Sequence, residues 1–300
     1  MTAMEKKEFL TNSEVFRDTM EQANGKFLQD TKDLVENRTF VYTEKITDMQ
    51  IMPPVKPMPN PKMTRFVVEM GTVEAGKRLK ETTGKRTAIL NFADAIRPGG
   101  YVIEGAPTQE ENICRCSNLY PTLVAEDRFD KYYFVNYNNL YPENIYGDVF
   151  PEHEGLDWTA LTVKPGYYTD RLIYSRDVLF FKNDSTYEEE EPYTLDVITC
   201  PAPNIDWSQL GALDADEYSV IVERAEQIIK SAILNKVDNL VLGAWGCGAF
   251  MQNPEVISKA FMEVLGKYGC FDNVTFAIRC TTAGWLDNNY NTFLKNCGGK

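Results

Sequence analysis

Two adjacent carboxylates, Glu110 and Glu111, follow a glycine-rich segment and are the candidate catalytic residues of this sequence. The segment reads Gly99-Gly100-Tyr101, and seven residues separate it from Gln109-Glu110-Glu111. Carboxylic acids act as general acids and bases in glycoside hydrolysis, and glycines let the backbone approach a ligand closely. Two acidic residues in the first turn of a helix also stabilise that helix by opposing its macrodipole, so the pair alone is ambiguous.

The elements expected around this segment favour a ligand site. Apolar residues predict a buried strand over 87–92, directly before the glycines, and the pattern after them predicts a helix over 109–116. In open α/β sheets, ligands bind outside the carboxyl ends of the strands, where this loop must lie. We therefore expect a binding site beside Glu110 and Glu111, with these further residues: Asn91, Gly99, Gly100, Tyr101 and Gln109.

A second glycine-rich block follows a later apolar strand and precedes a helix that starts near Pro254. Backbone amides between a strand and a helix can form a cradle for an anion without any cationic side chain. The expected contributors are Gly246, Cys247, Gly248, Ala249 and Phe250. A tight strand-to-helix turn without a ligand is the alternative, and the Phe250 ring can belong either to the site or to the core.

The rest of the pattern predicts an α/β/α layered domain. Strands are predicted over 65–69, 87–92, 171–174, 178–181, 195–200, 240–244 and 274–278, and helices over 72–81, 109–116, 217–235 and 254–268. Residues 1–62 are predicted to be a helical extension, with a helix capped by Ser13 and a proline-rich arm over 50–62. Residues 63–300 are predicted to form the domain itself, with an irregular excursion over 136–170 and a solvated acidic loop over 188–191.

Composition limits the classes of partner. The net charge of −13 argues against direct binding to nucleic acid or an anionic membrane. The N-terminus has no apolar signal segment, and seven scattered cysteines indicate a reducing cytoplasm. His153 is the single histidine, so a histidine-based metal site is not expected, and no cofactor is implied. The oligomeric state stays open.

The segment resembles the signature of poly(ADP-ribose) glycohydrolases, which is Gly-Gly-Gly, a short spacer and Gln-Glu-Glu. The flanks are similar to the microbial branch: Leu90-Asn-Phe-Ala93 before it and Cys114-Arg-Cys-Ser-Asn-Leu-Tyr-Pro121 after it. Two later blocks also resemble the family, Leu195-Asp-Val-Ile-Thr-Cys-Pro-Ala-Pro-Asn204 and Leu242-Gly-Ala-Trp-Gly-Cys-Gly-Ala-Phe-Met-Gln-Asn-Pro-Glu255. Several ordered blocks are a stronger signal than one short motif.

This resemblance implies a macrodomain-like mixed sheet flanked by helices, and hydrolysis of the ribose-ribose O-glycosidic bond of poly(ADP-ribose) to release ADP-ribose. It implies that Glu111 is the general acid and base, that Glu110 positions ribose hydroxyls, and that the block around Gly246 holds the diphosphate. Tyr101 departs from the signature because the family has a third glycine there. A non-catalytic ADP-ribose-binding module, a hydrolase of another ADP-ribose derivative and an enzyme with an unrelated nucleotide ligand are the alternatives.

Overall fold

The computed structural model of the protein describes residues 11–53, 56–140, 168–204, 215–280 and 285–298. Within them, seven strands form one sheet in the order β1-β4-β5-β3-β6-β7-β2. The strands are β1 (Thr39–Tyr42), β2 (Thr64–Val68), β3 (Thr87–Phe92), β4 (Leu172–Lys182), β5 (Glu189–Cys200), β6 (Asn239–Leu242) and β7 (Asn273–Ala277). The pairs β1/β4 and β4/β5 are antiparallel and the remaining pairs are parallel, so the sheet is mixed.

Helices cover both faces of this sheet. They are α1 (Asn12–Asn24), α2 (Leu28–Asn37), α3 (Asp48–Ile51), α4 (Thr72–Thr83), α5 (Gln109–Cys116), α6 (Tyr120–Leu123), α7 (Glu126–Arg128), a π-helical turn (Phe129–Tyr133), α8 (Phe134–Leu140), α9 (Ala215–Leu234), α10 (Pro254–Tyr268) and α11 (Trp285–Cys297). None of the helices in the described residues is both long and apolar enough to cross a bilayer.

The central strand β3 shows why the sheet is buried on both faces. Ile89 belongs to one core cluster, with Ile113 of α5, whereas Leu90 belongs to the other, with Ile229 of α9. Successive side chains of a strand point to opposite faces, so a continuously apolar strand needs a helical layer on each side. The predicted three-layer α/β/α fold with a mixed sheet is confirmed.

The N-terminal helices pack on the sheet through specific contacts. The buried ammonium of Lys182, on β4, lies 2.5 Å from the Asp18 carboxylate of α1. The Phe27 ring packs on Phe181 with centroids 4.6 Å apart. The helix predicted here is present, but Thr11 caps it in place of Ser13, because the Thr11 hydroxyl accepts from the Glu14 amide and the Glu14 carboxylate bonds back. The division into 1–62 and 63–300 stays a prediction.

Other differences from the sequence prediction have local causes. Residues 189–191 belong to β5, so the acidic run is a strand for most of its length, and Glu190 pairs with Lys77 at 2.6 Å.

The two strands predicted over 171–174 and 178–181 are one strand, β4, with a register shift between Ser175 and Val178 where Asp177 has φ of 54°. The excursion predicted over 136–170 begins inside α8, and residues 141–167 lie outside the described residues. In the described residues of the proline-rich arm, 50–53 and 56–62, no regular element follows the end of α3 at Ile51.

The topology brings three strand ends together. The strands β5, β3 and β6 are adjacent and parallel, so their carboxyl ends lie at the same edge of the sheet. The chain leaves β3 at Phe92, β5 at Cys200 and β6 at Leu242. The loops that follow these three residues surround one space, as expected for a ligand site in an α/β sheet.

Candidate active site

Glu110 lies under the end of β3 and is almost fully buried. Its Oε2 accepts a hydrogen bond from the Asp94 backbone N–H at 2.7 Å, and its Oε1 accepts one from Asn91 Nδ2 at 3.2 Å. Asn91 in turn donates to Thr199 Oγ1 on β5, also over 3.2 Å. Two neighbouring parallel strands therefore hold this carboxyl group in place.

Glu111 points to the other side of the same helical turn, because adjacent helical residues are turned about 100° from each other. Its Oε1 accepts a hydrogen bond from the Tyr101 backbone N–H at 2.9 Å. Its Oε2 accepts one from the hydroxyl of Thr108, the N-cap residue of α5. Glu111 is at the position that closes a capping box, but its carboxylate reaches the glycine loop instead of only serving the helix end.

Both carboxyl groups have raised pKa values. Burial raises the pKa of Glu110 well above its ordinary range, and the nearby Glu111 charge raises it further. Burial also raises the pKa of Glu111, against the lowering effect of its hydrogen bond from Thr108. Surface carboxylates that stabilise a helix start remain charged and exposed. Two buried carboxyl groups with raised pKa values are therefore candidates for catalysis, and helix capping alone does not account for their burial.

The glycines before Tyr101 let the backbone lie directly against these carboxyls. Gly100 has φ of 60°, and a Cβ there would overlap Glu111 Oε1 and lie 3.2 Å from Glu110 Oε2. Gly99 has φ of 70°, and its Cβ would lie 2.7 Å from the Tyr120 ring. Both positions therefore need glycine for conformation as well as for space.

The Tyr101 ring lies on a cation. The guanidinium carbon of Arg97 is 3.9 Å from the centroid of the ring, in the geometry of a cation–π contact. Tyr101 is half-buried, and it is one of the residues that line the cavity above Glu111. The ring therefore forms part of the cavity wall while the cavity stays open.

The cavity has a volume of about 630 Å³, within the usual range for small-molecule sites. The described residues that line it are Phe92, Ala93, Asp94, Gly100, Tyr101, Thr108, Gln109, Glu110, Glu111, Ala202, Asn204, Trp245, Gly246, Gly248, Ala249 and Phe250. They come from the loops after β3, β5 and β6 and from the start of α5. Lysine and arginine do not occur among these described lining residues.

The loop after β6 lines the cavity with Gly246, Gly248, Ala249 and Phe250. The Cys247 N–H donates to the Ala244 carbonyl at 3.0 Å, which closes a tight turn. Within the part of the chain that the structure describes, the Gly248 and Ala249 N–H groups have no acceptor. Gly246 has φ of 77° and packs so closely on Ala202 that a Cβ would lie 2.7 Å from the Ala202 Cβ. Uncommitted amides between a strand and a helix suit an anionic ligand.

The structure brings together most of the residues selected from the sequence, and it places four of them in supporting positions. Asn91 is fully buried behind Glu110 and is not a lining residue. Gln109 lines the cavity, but its amide accepts from the Phe92 N–H at 2.9 Å and donates to the Leu90 carbonyl at 2.8 Å. Gly99 lies against Tyr120. The Cys247 side chain is buried in the core, and burial raises the pKa of its thiol.

Sequence reasoning missed several lining residues. Asp94 lines the cavity, its Oδ1 accepts from the Ile96 and Arg97 amides at 2.8 and 3.0 Å, and burial raises its pKa. Ala202 and Asn204 follow the end of β5, and Trp245 follows β6. Their place just after parallel strands was the available signal. Phe92, Ala93 and Thr108 flank residues that were selected.

Comparison with known proteins gives a family model and several solved structures that match this chain. The family model for the microbial-type PARG catalytic domain matches residues 6–183, more than half of the chain. No curated protein matches the chain by sequence.

Solved structures of bacterial poly(ADP-ribose) glycohydrolases superpose on the chain. The crystal structure of the enzyme from Thermomonospora curvata is 27% identical, with a TM-score of 0.76 over 95% of this chain and 98% of that chain. The same enzyme bound to the inhibitor ADP-HPD gives 26% identity and a TM-score of 0.73, with the same coverage. The enzyme from Deinococcus radiodurans in complex with ADP-ribose is 27% identical, with a TM-score of 0.69 over 89% of this chain and 96% of that chain. The chain therefore belongs to the microbial-type poly(ADP-ribose) glycohydrolase family, whose members are glycosidases that hydrolyse poly(ADP-ribose).

Proposed function

We propose that this chain hydrolyses the ribose-ribose O-glycosidic bond of poly(ADP-ribose) and releases ADP-ribose, with Glu111 as the acid and base. The observation that supports this most directly is the Glu111 carboxyl on the wall of the cavity, buried and with a pKa raised by burial. A general acid in glycoside hydrolysis needs a carboxyl whose pKa lies above the ordinary carboxyl value, and the shift of Glu111 is in this direction.

In the first half of the reaction, the bond between the anomeric carbon and the leaving ribose oxygen breaks. Glu111 gives its proton to that oxygen, so the leaving ribose departs as an alcohol and Glu111 becomes a carboxylate. The Tyr101 N–H and the Thr108 hydroxyl stabilise this carboxylate, because both donate to it already.

In the second half, water attacks the anomeric carbon and gives its proton to the Glu111 carboxylate, which restores the starting state. Glu110 is the neighbour of Glu111 in the helix, and its carboxyl group accepts hydrogen bonds from the Asp94 N–H and from Asn91. We assign Glu110 to ribose hydroxyls and not to the proton transfer, because adjacent helical residues diverge too far to flank one glycosidic bond.

The diphosphate of the ligand would lie on the amides of the loop after β6. Gly248 and Ala249 offer N–H groups there, and the described lining residues include no cation that could replace them. Phe250 lines the cavity and also packs against the core, so its ring offers a surface for the ribose while the core supports it.

The test is a titration of ADP-ribose by calorimetry, followed by an assay for ADP-ribose released from poly(ADP-ribose). Binding with release is expected. Binding without release would favour the non-catalytic module, and release only from another ADP-ribose conjugate would favour the related hydrolase. Absence of both would remove ADP-ribose as the ligand.

We further infer a macrodomain-like architecture, from the mixed sheet with helices on both faces and the site at the strand ends. ADP-ribose or its polymer is the proposed partner, and direct binding to nucleic acid or membrane is not expected at a net charge of −13. A cytoplasmic location is proposed because all seven cysteines are free thiols. Non-reducing electrophoresis of the protein from its native cells tests this proposal, and disulfide-bonded species would contradict it.

A further inference from the structure

The loop between Tyr101 and Thr108 closes a chain of hydrogen bonds that begins and ends on α5. Arg115 Nη1 donates to the Ala106 carbonyl at 2.7 Å, and the Ala106 N–H donates to the Tyr101 carbonyl at 3.1 Å. The Tyr101 N–H then donates to Glu111 Oε1 at 2.9 Å. Arg115 and Glu111 are four residues apart, so they lie on the same face of the helix.

Arg115 is an unusual residue to find at this position. Its side chain is fully buried, and among the described residues its hydrogen bonds go to the Ala106 carbonyl and the Tyr187 hydroxyl rather than to a carboxylate. Its Nε donates to the Tyr187 hydroxyl at 3.1 Å, whereas its Nη2 has no hydrogen-bond partner in the described part of the chain. A buried cation without a paired carboxylate costs stability, so a purely structural role explains it poorly.

The helix α1 holds the same loop from the other side. Asn12 Nδ2 donates to the Gly105 carbonyl at 2.9 Å, and the buried Thr19 hydroxyl donates to the Arg115 carbonyl at 2.6 Å. The Phe16 ring packs edge-on against Tyr120 with centroids 4.9 Å apart. Tyr120 is the residue that Gly99 approaches. The helix α1, which is far from Glu110 and Glu111 in sequence, thus contacts Gly105 of the loop and Arg115 of α5.

We propose that Arg115 and Asn12 are positioning residues that hold the loop 101–108 in the conformation that presents its Tyr101 N–H and Thr108 hydroxyl to Glu111. The inference rests on the proposed function of Glu111. Neither residue is among the described residues that line the cavity, so each reaches the site through the loop. The charge of Arg115 also lowers the pKa of Glu111, which is why Arg115→Lys is compared with Arg115→Met below. Pre-formed donors to a carboxylate avoid reorganisation during the reaction, and a displacement of about 1 Å in such a group can cost 100-fold in rate.

The experiment compares the full chain with Arg115→Met and Asn12→Ala by amide hydrogen exchange without ligand, and by steady-state hydrolysis of poly(ADP-ribose). Each variant has a matched control. Arg128→Met removes another buried arginine that donates to the backbone carbonyls of Val35 and Thr39. Asn37→Ala removes another helical asparagine, whose side chain donates to Asp33 in its own helix.

We expect faster exchange in 101–108 for both test variants, with exchange in α10 unchanged. We expect kcat to fall by about 10- to 100-fold with KM within about twofold. The two controls should leave both the loop and kcat unchanged. Arg115→Lys retains the charge without the forked donors of the guanidinium. Its loop exchange rate and its kcat should therefore lie between those of wild type and Arg115→Met.

Unchanged loop exchange in both test variants would overturn the proposal. If Arg115→Met loosens the whole domain, Asn12→Ala decides: it must loosen 101–108 alone, or the proposal is wrong. Failure of the proposed function has a different signature, because the wild type would then release no ADP-ribose while the exchange pattern still appears as described. Turnover by wild type with unchanged loop exchange would sink only the positioning role.

Discussion

Tyr101 holds Glu111 by its main chain while its side chain lies elsewhere: the Tyr101 N–H donates to Glu111 Oε1 at 2.9 Å, and its ring lies on Arg97. Any residue other than proline can supply that N–H at position 101, including the glycine that the family signature has there. The substitution therefore leaves the hydrogen bond to the acid intact and adds a ring to the cavity wall. Catalysis by Glu111 and the departure from the signature are compatible.

The first prediction concerns the acid. Glu111→Gln retains the shape of the side chain but removes the transferable proton, so hydrolysis should fall by about 10²- to 10⁴-fold. The affinity for ADP-ribose should change little, because the lost interaction belongs to the transition state. Assays of release and binding on the same preparation check this. Glu36→Gln, at an exposed carboxylate on α2, should behave like wild type; an active Glu111→Gln protein would exclude Glu111 from the mechanism.

The second prediction concerns the Tyr101 ring. Because the ring rests on Arg97 and the cavity stays open, Tyr101→Gly should leave the affinity for ADP-ribose within about tenfold, or ~1.4 kcal/mol. Tyr101→Phe retains the ring on the guanidinium, and it should be closer still to wild type. Calorimetry measures both. Binding or hydrolysis that appears only in Tyr101→Gly would mean that the ring blocks the site.

The third prediction concerns the amide cradle. A Cβ at Gly248 would meet no atom within 4 Å, so Gly248→Val should fold normally while its branched side chain enters the space of the diphosphate. We expect the affinity for ADP-ribose to fall by at least about tenfold and the thermal midpoint to stay nearly unchanged. Gly266→Ala, where a Cβ also meets nothing within 4 Å but on α10, is the control. Wild-type affinity in Gly248→Val would place the diphosphate elsewhere.

The fourth prediction concerns salt. Amides release no counterions, so the dissociation constant for ADP-ribose should depend only weakly on ionic strength. Titrations at low and high salt measure this dependence. A steep loss of affinity with added salt would indicate a clamp of basic side chains and would contradict the amide cradle.

The fifth prediction concerns stability and pH. Burial raises the pKa of Glu110, so the folded chain retains a proton that the unfolded chain releases at an ordinary carboxyl pKa. The free energy of unfolding therefore falls as the pH rises from the ordinary carboxyl pKa to the raised pKa of Glu110. The fall is about 1.4 kcal/mol per pH unit for one proton. Glu110→Gln lacks this loss, so its stability relative to wild type should improve as the pH rises. Denaturant unfolding at several pH values, with the exposed Glu36→Gln as control, checks the slope; parallel curves would show that Glu110 does not titrate there.

Much of this protein follows from the sequence by itself. The apolar runs predicted β3 and the helical pattern predicted α5 with the observed bounds, because a buried strand and an amphipathic helix impose their periods on neighbouring residues. The glycines before Glu110 and Glu111 predicted the candidate site, since few other residues can lie so close to a carboxyl group.

Only the tertiary structure decided how each side chain is used. Gln109 bonds to the backbone of β3 and Asn91 supports Glu110, and neither contact follows from residue type or spacing. Asp94 enters the site because the loop after β3 turns back on Glu110. The contact of Asn12 with Gly105 joins residues 93 positions apart, and local patterns do not encode the long-range packing that creates such a contact.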